Sequence, residues 1–417
     1  MNFIQKTTLS YSQNYLKKQL KQKFKFKQNE QINKQSTHNN ELMLYIHIPF
    51  CHTFCPYCSF HKFAYDEQKC KEYFEILRIE LKQLKDYGYN FNTLYVGGGT
   101  TLINEKELIK TLILVKELFN IKEISCETDP NHIKPEILKD FVGLIDRLSC
   151  GIQSFDDEIL QKTSRLEKFG NHKELIKKLE NAIGILPTFS IDLIFNFPFQ
   201  SEKMLLNDIN IAKNIAPEQI TMYPLMKSNI TKDAISAKFG IDNNNNELKY
   251  YQIICDMFKD YKQNNSWSFS KNKTKFNDEY VSTHHEYIGA GSGAFSFTNN
   301  KLLINAFKLD EYKNLILNKK NANIAHINFN DNDVIDYVFL TELFSGKINV
   351  KKINDTYKCD LINYLGYKFK GLKYSNAIVF EDNIIYNTEF GKYLALVLMK
   401  EFYINMDLVR AYFRKDL

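Results

Sequence analysis

The stretch HIPFCHTFCPYCSF (His47–Phe60) holds three of the chain's eight cysteines, Cys51, Cys55 and Cys58. Their spacing is C-x3-C-x2-C, with no fourth cysteine close behind. The stretch follows a strand-like apolar run, LMLYIHIP (42–49), so the cysteines are predicted to lie in a loop at the end of a strand. This loop indicates a metal centre, and the runs around it indicate the fold.

Two kinds of metal centre are compatible with three clustered thiols. A structural zinc site needs four closed ligands, and here His52 or His61 could complete one. Three thiolates also suit a [4Fe–4S] cluster in which one iron stays open to another ligand. The other five cysteines are isolated and are predicted to be small apolar side chains: Cys70, Cys126, Cys150, Cys255 and Cys359.

Strand-like runs alternate with helical patterns about six times between residues 43 and 226. This order predicts an α/β fold with a parallel sheet and right-handed crossovers, in the form of a partial or complete parallel β/α barrel. The runs are 42–49, 91–98, 122–129, 146–153, 188–195 and 219–226.

One face of these runs repeatedly offers polar groups. Glu127, Gln153 and Asp192 alternate with apolar neighbours on three successive runs, and Tyr45 and His47 do so on the first run. A fully packed barrel interior is aliphatic on both faces of its strands. The sequence therefore predicts a barrel interior that holds a ligand.

The basic charge is concentrated at the N-terminus. The net charge is +6, but residues 1–40 hold eight lysines and one acidic residue, which leaves 47 basic and 48 acidic residues in 41–417. Residues 1–40 are predicted to be a basic, partly disordered leader. A zinc-stabilised RNA-binding module that uses this leader is a weaker alternative, because the rest of the chain carries almost no net charge.

Four regions are expected along the chain. The leader (1–40) precedes a barrel domain with an extension (41–300), a connecting segment (301–326) and a smaller, mainly helical C-terminal domain (327–417). The last of these is predicted to contain a hairpin that turns at Asp382-Asn383. No signal peptide or run of about 20 apolar residues is visible, so a cytoplasmic protein with no membrane span is expected.

The order of several motifs resembles the radical S-adenosylmethionine superfamily. More narrowly, it resembles the oxygen-independent coproporphyrinogen III oxidases and their haem-chaperone relatives, over roughly residues 43–300. The motifs are YIHIPFC (Tyr45–Cys51), CPYC (Cys55–Cys58), GGGT (Gly97–Thr100), ETDP (Glu127–Pro130), GIQSF (Gly151–Phe155), SR (Ser164–Arg165) and DLIF (Asp192–Phe195).

The resemblance implies a [4Fe–4S] cluster on Cys51, Cys55 and Cys58, with S-adenosylmethionine at the open iron. It also implies that His47 and Arg165 act as catalytic residues. The residues implied to bind the cofactors are Tyr45, Tyr57, Gly98, Gly99, Thr100, Glu127, Gln153, Arg165 and Asp192.

The resemblance gives two expectations for function. The first is an oxidoreductase of porphyrin biosynthesis that oxidatively decarboxylates propionate side chains to vinyl groups. The second is a haem-binding chaperone without that turnover. The implied partners are a porphyrinogen or haem and a low-potential electron donor such as flavodoxin or ferredoxin, and no nucleic acid is expected.

Two positions depart from the oxidase pattern. Phe60 occupies the place where the oxidases usually have another cysteine and where the chaperone branch has phenylalanine. Asn196-Phe197-Pro198 replaces a Gly-Leu-Pro after the aspartate strand, which predicts a differently shaped loop beside the cofactor.

Overall fold

A computed structural model describes residues 1–28, 42–240, 246–271 and 284–415. Within these ranges the helices are α1 (Phe3–Lys23), α2 (Glu67–Asp86), α3 (Glu105–Leu118), α4 (Pro135–Lys139), α5 (Asp157–Lys162), α6 (Leu166–Phe169), α7 (His172–Ala182), α8 (Glu202–Ile215), α9 (Lys232–Phe239), α10 (Glu247–Met257), α11 (Leu309–Leu317), α12 (Asp331–Phe344), α13 (Val350–Tyr357), α14 (Leu361–Leu365), α15 (Tyr367–Tyr374) and α16 (Glu389–Phe413). A short 3-10 helix spans Thr101–Asn104.

The strands in the same ranges are β1 (Lys27–Gln28), β2 (Leu42–Ile48), β3 (Phe50–Cys51), β4 (Phe63–Ala64), β5 (Phe91–Gly98), β6 (Glu123–Thr128), β7 (Arg147–Gln153), β8 (Thr188–Phe195), β9 (Gln219–Pro224), β10 (Lys262–Gln263), β11 (Ser268–Ser270), β12 (Tyr287–Ala290), β13 (Phe295–Thr298), β14 (Lys301–Asn305), β15 (Asn323–Asn328), β16 (Lys347–Asn349), β17 (Ile378–Glu381) and β18 (Ile384–Asn387).

A 13-stranded sheet organises the molecule, in the order β1-β15-β14-β13-β12-β2-β5-β6-β7-β8-β9-β11-β10. Strands β2 and β5 to β9 are parallel and follow chain order, and β12 joins them in parallel beside β2. Antiparallel strands extend the sheet on both sides. The six predicted runs are these six consecutive strands, and the α/β fold of the partial-barrel type is confirmed.

The helices cover the sheet with apolar faces, and α2 shows how. Asp66 caps its first turn by accepting a hydrogen bond from the backbone N–H of Lys69. Apolar side chains at three- and four-residue spacing, among them Phe74, Leu77 and Leu81, are fully buried against the core. The carboxyl ends of β2 and β5 to β8 are thereby held at one edge of the sheet, where ligands of parallel sheets bind.

The N-terminal leader is not disordered over residues 3–23, so that expectation was wrong there. Asn2 and Gln5 form a capping box that starts α1, and the Lys- and Gln-rich sequence has good helix propensity. The helix docks on α16, where Glu401 accepts a hydrogen bond from Gln13 and forms an ion pair with Lys17 at 3.3 Å. Residues 29–40 of the predicted leader lie outside the described residues.

The predicted connecting segment (301–326) is part of the sheet. β14 pairs with β13 and β15, and β15 also pairs with β1, so the sheet continues past residue 300. The short apolar run within KLLIN (301–305) carried this signal. Beyond it, α12 to α16 and a three-stranded sheet form the mainly helical C-terminal region, and the hairpin at Asp382-Asn383 is confirmed.

None of the helices in the described ranges has the length and apolar character needed to cross a bilayer.

Candidate functional site

A cavity of about 320 Å³ opens at the carboxyl ends of the parallel strands, and we name it the first cavity. Every residue predicted to bind or act on a cofactor lines it. They are Tyr45, His47, Cys51, Cys55, Tyr57, Cys58, Gly98, Gly99, Thr100, Glu127, Gln153, Arg165 and Asp192. Residues more than 140 positions apart in the chain thus share one cavity, while the role of each stays a prediction.

The cysteine loop runs across one side of this cavity. Cys51 ends β3, which pairs with β4, and the N–H of Cys58 donates to the carbonyl of Cys55 at 3.2 Å to form a tight turn. Lys62 anchors the far end by donating to the Cys58 carbonyl at 3.0 Å. Burial raises the pKa of the Cys51 thiol to about 11, so a metal would have to displace its proton.

The glycine loop lies against the start of the cysteine loop. The N–H of Gly99 donates to the Ile48 carbonyl and that of Thr100 to the Phe50 carbonyl, each at 2.8 Å. Gly98 has φ +120°, and a Cβ there would lie 2.6 Å from the His47 ring. Only glycine satisfies both the backbone conformation and this close approach.

Two predicted carboxylates lie on different strands and have different partners. Glu127 on β6 accepts from the Tyr95 hydroxyl at 2.9 Å and from the Gly98 N–H at 3.2 Å. Asp192 on β8 accepts from the Ser149 hydroxyl at 2.7 Å. These contacts fix the carboxylates on the cavity wall as hydrogen-bond acceptors.

Gln153 reaches the cavity through an irregularity of β7. The register between β7 and β8 shifts between Gly151 and Gln153, and Gln153 has φ +77°. A Cβ at Gly151 would lie 2.6 Å from Nε2 of Gln153. The simple strand alternation used in the sequence analysis therefore does not describe this position, although the side chain still lines the cavity.

Arg165 bridges the cysteine loop and β7. Its Nη1 lies 3.6 Å from Sγ of Cys55 and 3.3 Å from the Tyr57 hydroxyl, and Nη2 donates to the Gly151 carbonyl. The guanidinium also lies over the Phe169 ring, 4.3 Å from its centre. A buried cation beside a cysteine ligand position can orient a carboxylate or stabilise an anionic cluster.

His47 lies under the glycine loop with both ring nitrogens engaged. Its Nε2 lies 3.0 Å from the His61 carbonyl, which can only accept, so Nε2 donates and Nδ1 accepts from the Tyr45 hydroxyl at 3.0 Å. Burial lowers the pKa of His47 to about 4. These contacts describe a neutral, positioning side chain, and its catalytic role stays a prediction.

Asp129 is a site residue that the sequence analysis missed. It accepts from the Thr100 hydroxyl at 3.1 Å and forms ion pairs with His132 at 2.8 Å and Lys168 at 3.4 Å. Burial opposes its ionisation, but the hydrogen bond from His132 and the charges of His132 and Lys168 hold its pKa well below the usual range. The ETDP motif contained this signal, because Asp129 follows Glu127 on the same strand face.

The last helix, α16, also contributes side chains that sequence reasoning missed. Tyr403, Asp407 and Arg410 line the first cavity, and the Arg410 guanidinium lies over the ring of Phe60 at 5.1 Å. Arg410 is one of only five arginines in the chain. That rarity was the one available signal, since the segment otherwise looks like an ordinary apolar helix.

The three thiols of the cysteine loop have the donor chemistry of a [4Fe–4S] cluster. In a [4Fe–4S] cluster each cysteine binds a different iron, so the three thiols need only surround a common space. His52 and His61, the candidate zinc ligands, instead pack against the rings of Tyr65 and Phe307 at 4.7 and 4.5 Å.

The Asn196-Phe197-Pro198 loop keeps a glycine-like backbone. Asn196 has φ +67°, a conformation that asparagine adopts more readily than other non-glycine residues. Its N–H donates to the Gln200 side chain at 2.7 Å, and Phe197 packs edge-on against Tyr57 at 6.4 Å. Asn196 thus holds a left-handed backbone conformation at the start of this loop.

Comparison with known proteins identifies one domain of the chain. Residues 45–212 match the family model described as the Radical SAM superfamily, so this part of the chain is a radical S-adenosylmethionine domain. The relatives of this chain are of two kinds. The heme chaperone HemW of Bacillus subtilis (strain 168) is 26% identical over 367 residues, covering 84% of this chain and 96% of that protein.

The second kind of relative is an enzyme. The oxygen-independent coproporphyrinogen III oxidase of Escherichia coli (strain K12) is 30% identical over 193 residues, covering 44% of this chain and 41% of that protein. A solved structure of coproporphyrinogen III oxidase (HemN) from Escherichia coli matches with a TM-score of 0.72 and 21% identity, over 87% of this chain and 90% of that one. This last likeness confirms the fold.

Proposed function

We propose that this protein binds a [4Fe–4S] cluster and S-adenosylmethionine in the first cavity and acts on, or carries, a tetrapyrrole. The observation that supports it is the arrangement of the cavity. Three thiols, a glycine loop and polar groups from separate strands surround one space next to a buried arginine. The names of the relatives supply the tetrapyrrole.

Each group in the cavity has a proposed task. Cys51, Cys55 and Cys58 hold three irons, and the Gly98-Gly99 backbone and Thr100 lie against the methionine end of S-adenosylmethionine. Glu127, Gln153 and Asp192 would offer acceptors and donors to its amino group and ribose hydroxyls, since all three line the cavity. When bound, the cluster and S-adenosylmethionine would supply radical hydrogen abstraction.

The oxidase is the first candidate activity. It would remove hydrogen from a propionate side chain, which then loses CO₂ and passes one electron to an external one-electron acceptor to leave a vinyl group. The barrel-edge cavity supports this candidate because the cofactor residues and side chains of the C-terminal helix α16 line one space. A substrate held there would meet the cofactor away from bulk water.

The haem chaperone is the second candidate, and two observations favour it. Phe60 occupies the oxidase cysteine position and lines the cavity under Arg410. The similarity to the heme chaperone HemW of Bacillus subtilis extends over 96% of that protein, whereas the similarity to the Escherichia coli oxidase covers 41% of the enzyme.

One anaerobic experiment separates the two candidates. The reconstituted, dithionite-reduced protein is incubated with S-adenosylmethionine and coproporphyrinogen III, and separately titrated with haem. Vinyl-containing product with stoichiometric 5′-deoxyadenosine would establish the oxidase, while stable haem binding without product would establish the chaperone. A colourless protein that holds one zinc ion and forms no 5′-deoxyadenosine would refute both.

A further inference from the structure

A second cavity, of about 560 Å³, lies between the antiparallel end of the sheet and the terminal helices. Its walls come from α1, β12 to β14, α12, α15 and α16. This volume lies in the range of about 300–1,000 Å³ that is typical of small-molecule sites. None of the cofactor residues assigned above lines it.

Aromatic side chains are the largest group that lines the second cavity. Tyr337 is one of them, with ring centres of Phe297 and Phe402 at 4.8 and 6.1 Å. Helix α1 contributes Tyr11 and Tyr15 to the lining. Flat rings from several elements suit a planar apolar ligand, because they can stack on its faces.

The two cavities share one wall, formed by Phe295, Tyr403 and Arg410. Arg410 donates from Nη1 to Oδ1 of Asp407 at 2.6 Å, and its guanidinium lies 5.6 Å from the Phe295 ring centre. A guanidinium carries five N–H donors, so one such contact leaves others for a ligand carboxylate. A cation therefore stands between the aromatic cavity and the cofactor cavity.

We propose that the second cavity binds a planar, largely apolar ligand with carboxylates at one edge, the chemistry of a porphyrin. The carboxylate edge lies at Arg410 on the shared wall, facing the first cavity, and the ring system lies between α1 and the α12–α16 side. This proposal rests on the proposed tetrapyrrole function and assigns it a place in the fold.

Gly371 gives a way to fill the second cavity without breaking the fold. It lines the cavity from α15, and an added Cβ there meets no atom within 4 Å. Replacing glycine inside a helix also improves helix propensity. Gly371 is exposed, so the series Gly371→Ala, Gly371→Leu and Gly371→Phe narrows the cavity progressively at its rim, and Lys370→Phe adds the same ring at the neighbouring exposed position outside the lining.

The experiment titrates full-length, reconstituted protein with protoporphyrin IX and follows its absorbance and fluorescence. Affinity is expected to fall progressively along the Gly371 series, by on the order of tenfold or more for Gly371→Phe, and to stay at the wild-type value for Lys370→Phe. Unfolding temperatures verify that each variant is folded. Wild-type affinity in both Gly371→Leu and Gly371→Phe would show that the porphyrin does not bind in the second cavity.

Arg410 is tested with a ligand pair. Arg410→Gln should weaken protoporphyrin IX about tenfold through the lost charge-assisted hydrogen bond, but leave its uncharged dimethyl ester unaffected. Arg410→Lys should restore part of the loss. Equal losses for both ligands would show that Arg410 only packs, and displacement by palmitate at similar affinity would overturn the planar ligand class.

The outcomes also separate this inference from the proposed function. If the wild-type protein binds neither protoporphyrin IX nor haem and forms no vinyl product from coproporphyrinogen III, the tetrapyrrole function itself fails. If it binds them and the Gly371 series has no effect, the function stands and the second cavity is not the site.

Discussion

The two cavities are built from different parts of the chain and carry different chemistry. The first cavity is lined mainly by strand ends and the loops that follow them, and it gathers thiols, carboxylates and a buried arginine. The second cavity is lined mainly by helices and is largely aromatic. Polar groups on strand ends are held by neighbouring strands, so the first cavity can position a cofactor accurately.

The second cavity depends on weaker attachments. Helix α1 has no fully buried residue; it packs the partly buried Leu9 and Leu16 against the core and forms the Lys17–Glu401 and Lys23–Asp333 ion pairs, at 3.3 and 2.5 Å. Ion pairs of this kind contribute about 0–1 kcal/mol each. The contrast suits a rigid cofactor site beside a ligand site whose wall can open.

The largest expected effect concerns the thiols of the first cavity. Cys51→Ala, Cys55→Ala and Cys58→Ala should each abolish the brown colour, the content of about four irons and the formation of 5′-deoxyadenosine. Iron and sulfide analysis after anaerobic reconstitution measures this. Cys255→Ala, on α10 outside the cavity, is the control and should retain the cluster. A full cluster in any of the three variants would remove that cysteine from the ligand set.

The next effect concerns the polar walls of the first cavity. Asp192→Ala and Arg165→Ala should each weaken S-adenosylmethionine binding ten- to hundredfold, because each removes charge-assisted hydrogen bonds worth about 1.5–3 kcal/mol. The measurement is 5′-deoxyadenosine formation across cofactor concentrations, with iron content as a check. Asp233→Ala, an exposed residue of α9, should behave as wild type. Unchanged affinity in both cavity variants would make these residues structural.

A smaller effect tests the difference between the cavities directly. Deleting residues 1–26 removes α1 and one wall of the second cavity. Protoporphyrin IX binding should weaken about tenfold, because one aromatic face of the ligand becomes exposed. Reductive cleavage of S-adenosylmethionine without porphyrin should continue, since no α1 residue lines the first cavity. Loss of the cluster in this truncation would instead show that the two cavities depend on each other.

Most residues that line the first cavity could be predicted from the sequence, whereas those that line the second could not. The difference has a physical cause. Strand alternation puts Glu127 and Asp192 on an inward face, and parallel strands bring their carboxyl ends together without further information. The backbone bulge at Gln153 and the ion pairs of Asp129 depend on contacts between loops, which no local pattern encodes.

The second cavity depends on how helices far apart in sequence meet. Helices α1 and α16 carry no motif. Their apolar residues predict that one face is buried, but not which other element packs against that face. The polar N-terminus resembled a disordered leader because its order comes from docking on Glu401, about 390 residues away. Arg410 likewise becomes a site residue only once α16 is placed beside the cysteine loop.

The smallest expected effect is on the pH dependence of stability. It distinguishes a fixed, neutral His47 side chain from one that acts as an acid–base group. Burial holds the folded-state pKa at about 4, below the ordinary value of 6.5, so protonation favours the unfolded chain. The stabilising contribution is therefore fully present above about pH 6.5 and is lost as pH falls towards 4. Tyr45, His61 and Arg410 surround the ring and stay in place in a substituted protein.

His47→Gln removes the titrating group while an amide N–H can still reach the His61 carbonyl. Between pH 7 and pH 5.5 the free energy of unfolding of the wild type should fall by about 1 kcal/mol more than that of His47→Gln. Urea unfolding at a series of pH values measures the difference, and His61→Gln serves as a second comparison. Identical pH slopes for wild type and His47→Gln would mean that His47 is accessible and titrates normally. The first cavity would then have a mobile acid–base group where its hydrogen bonds indicate a fixed one.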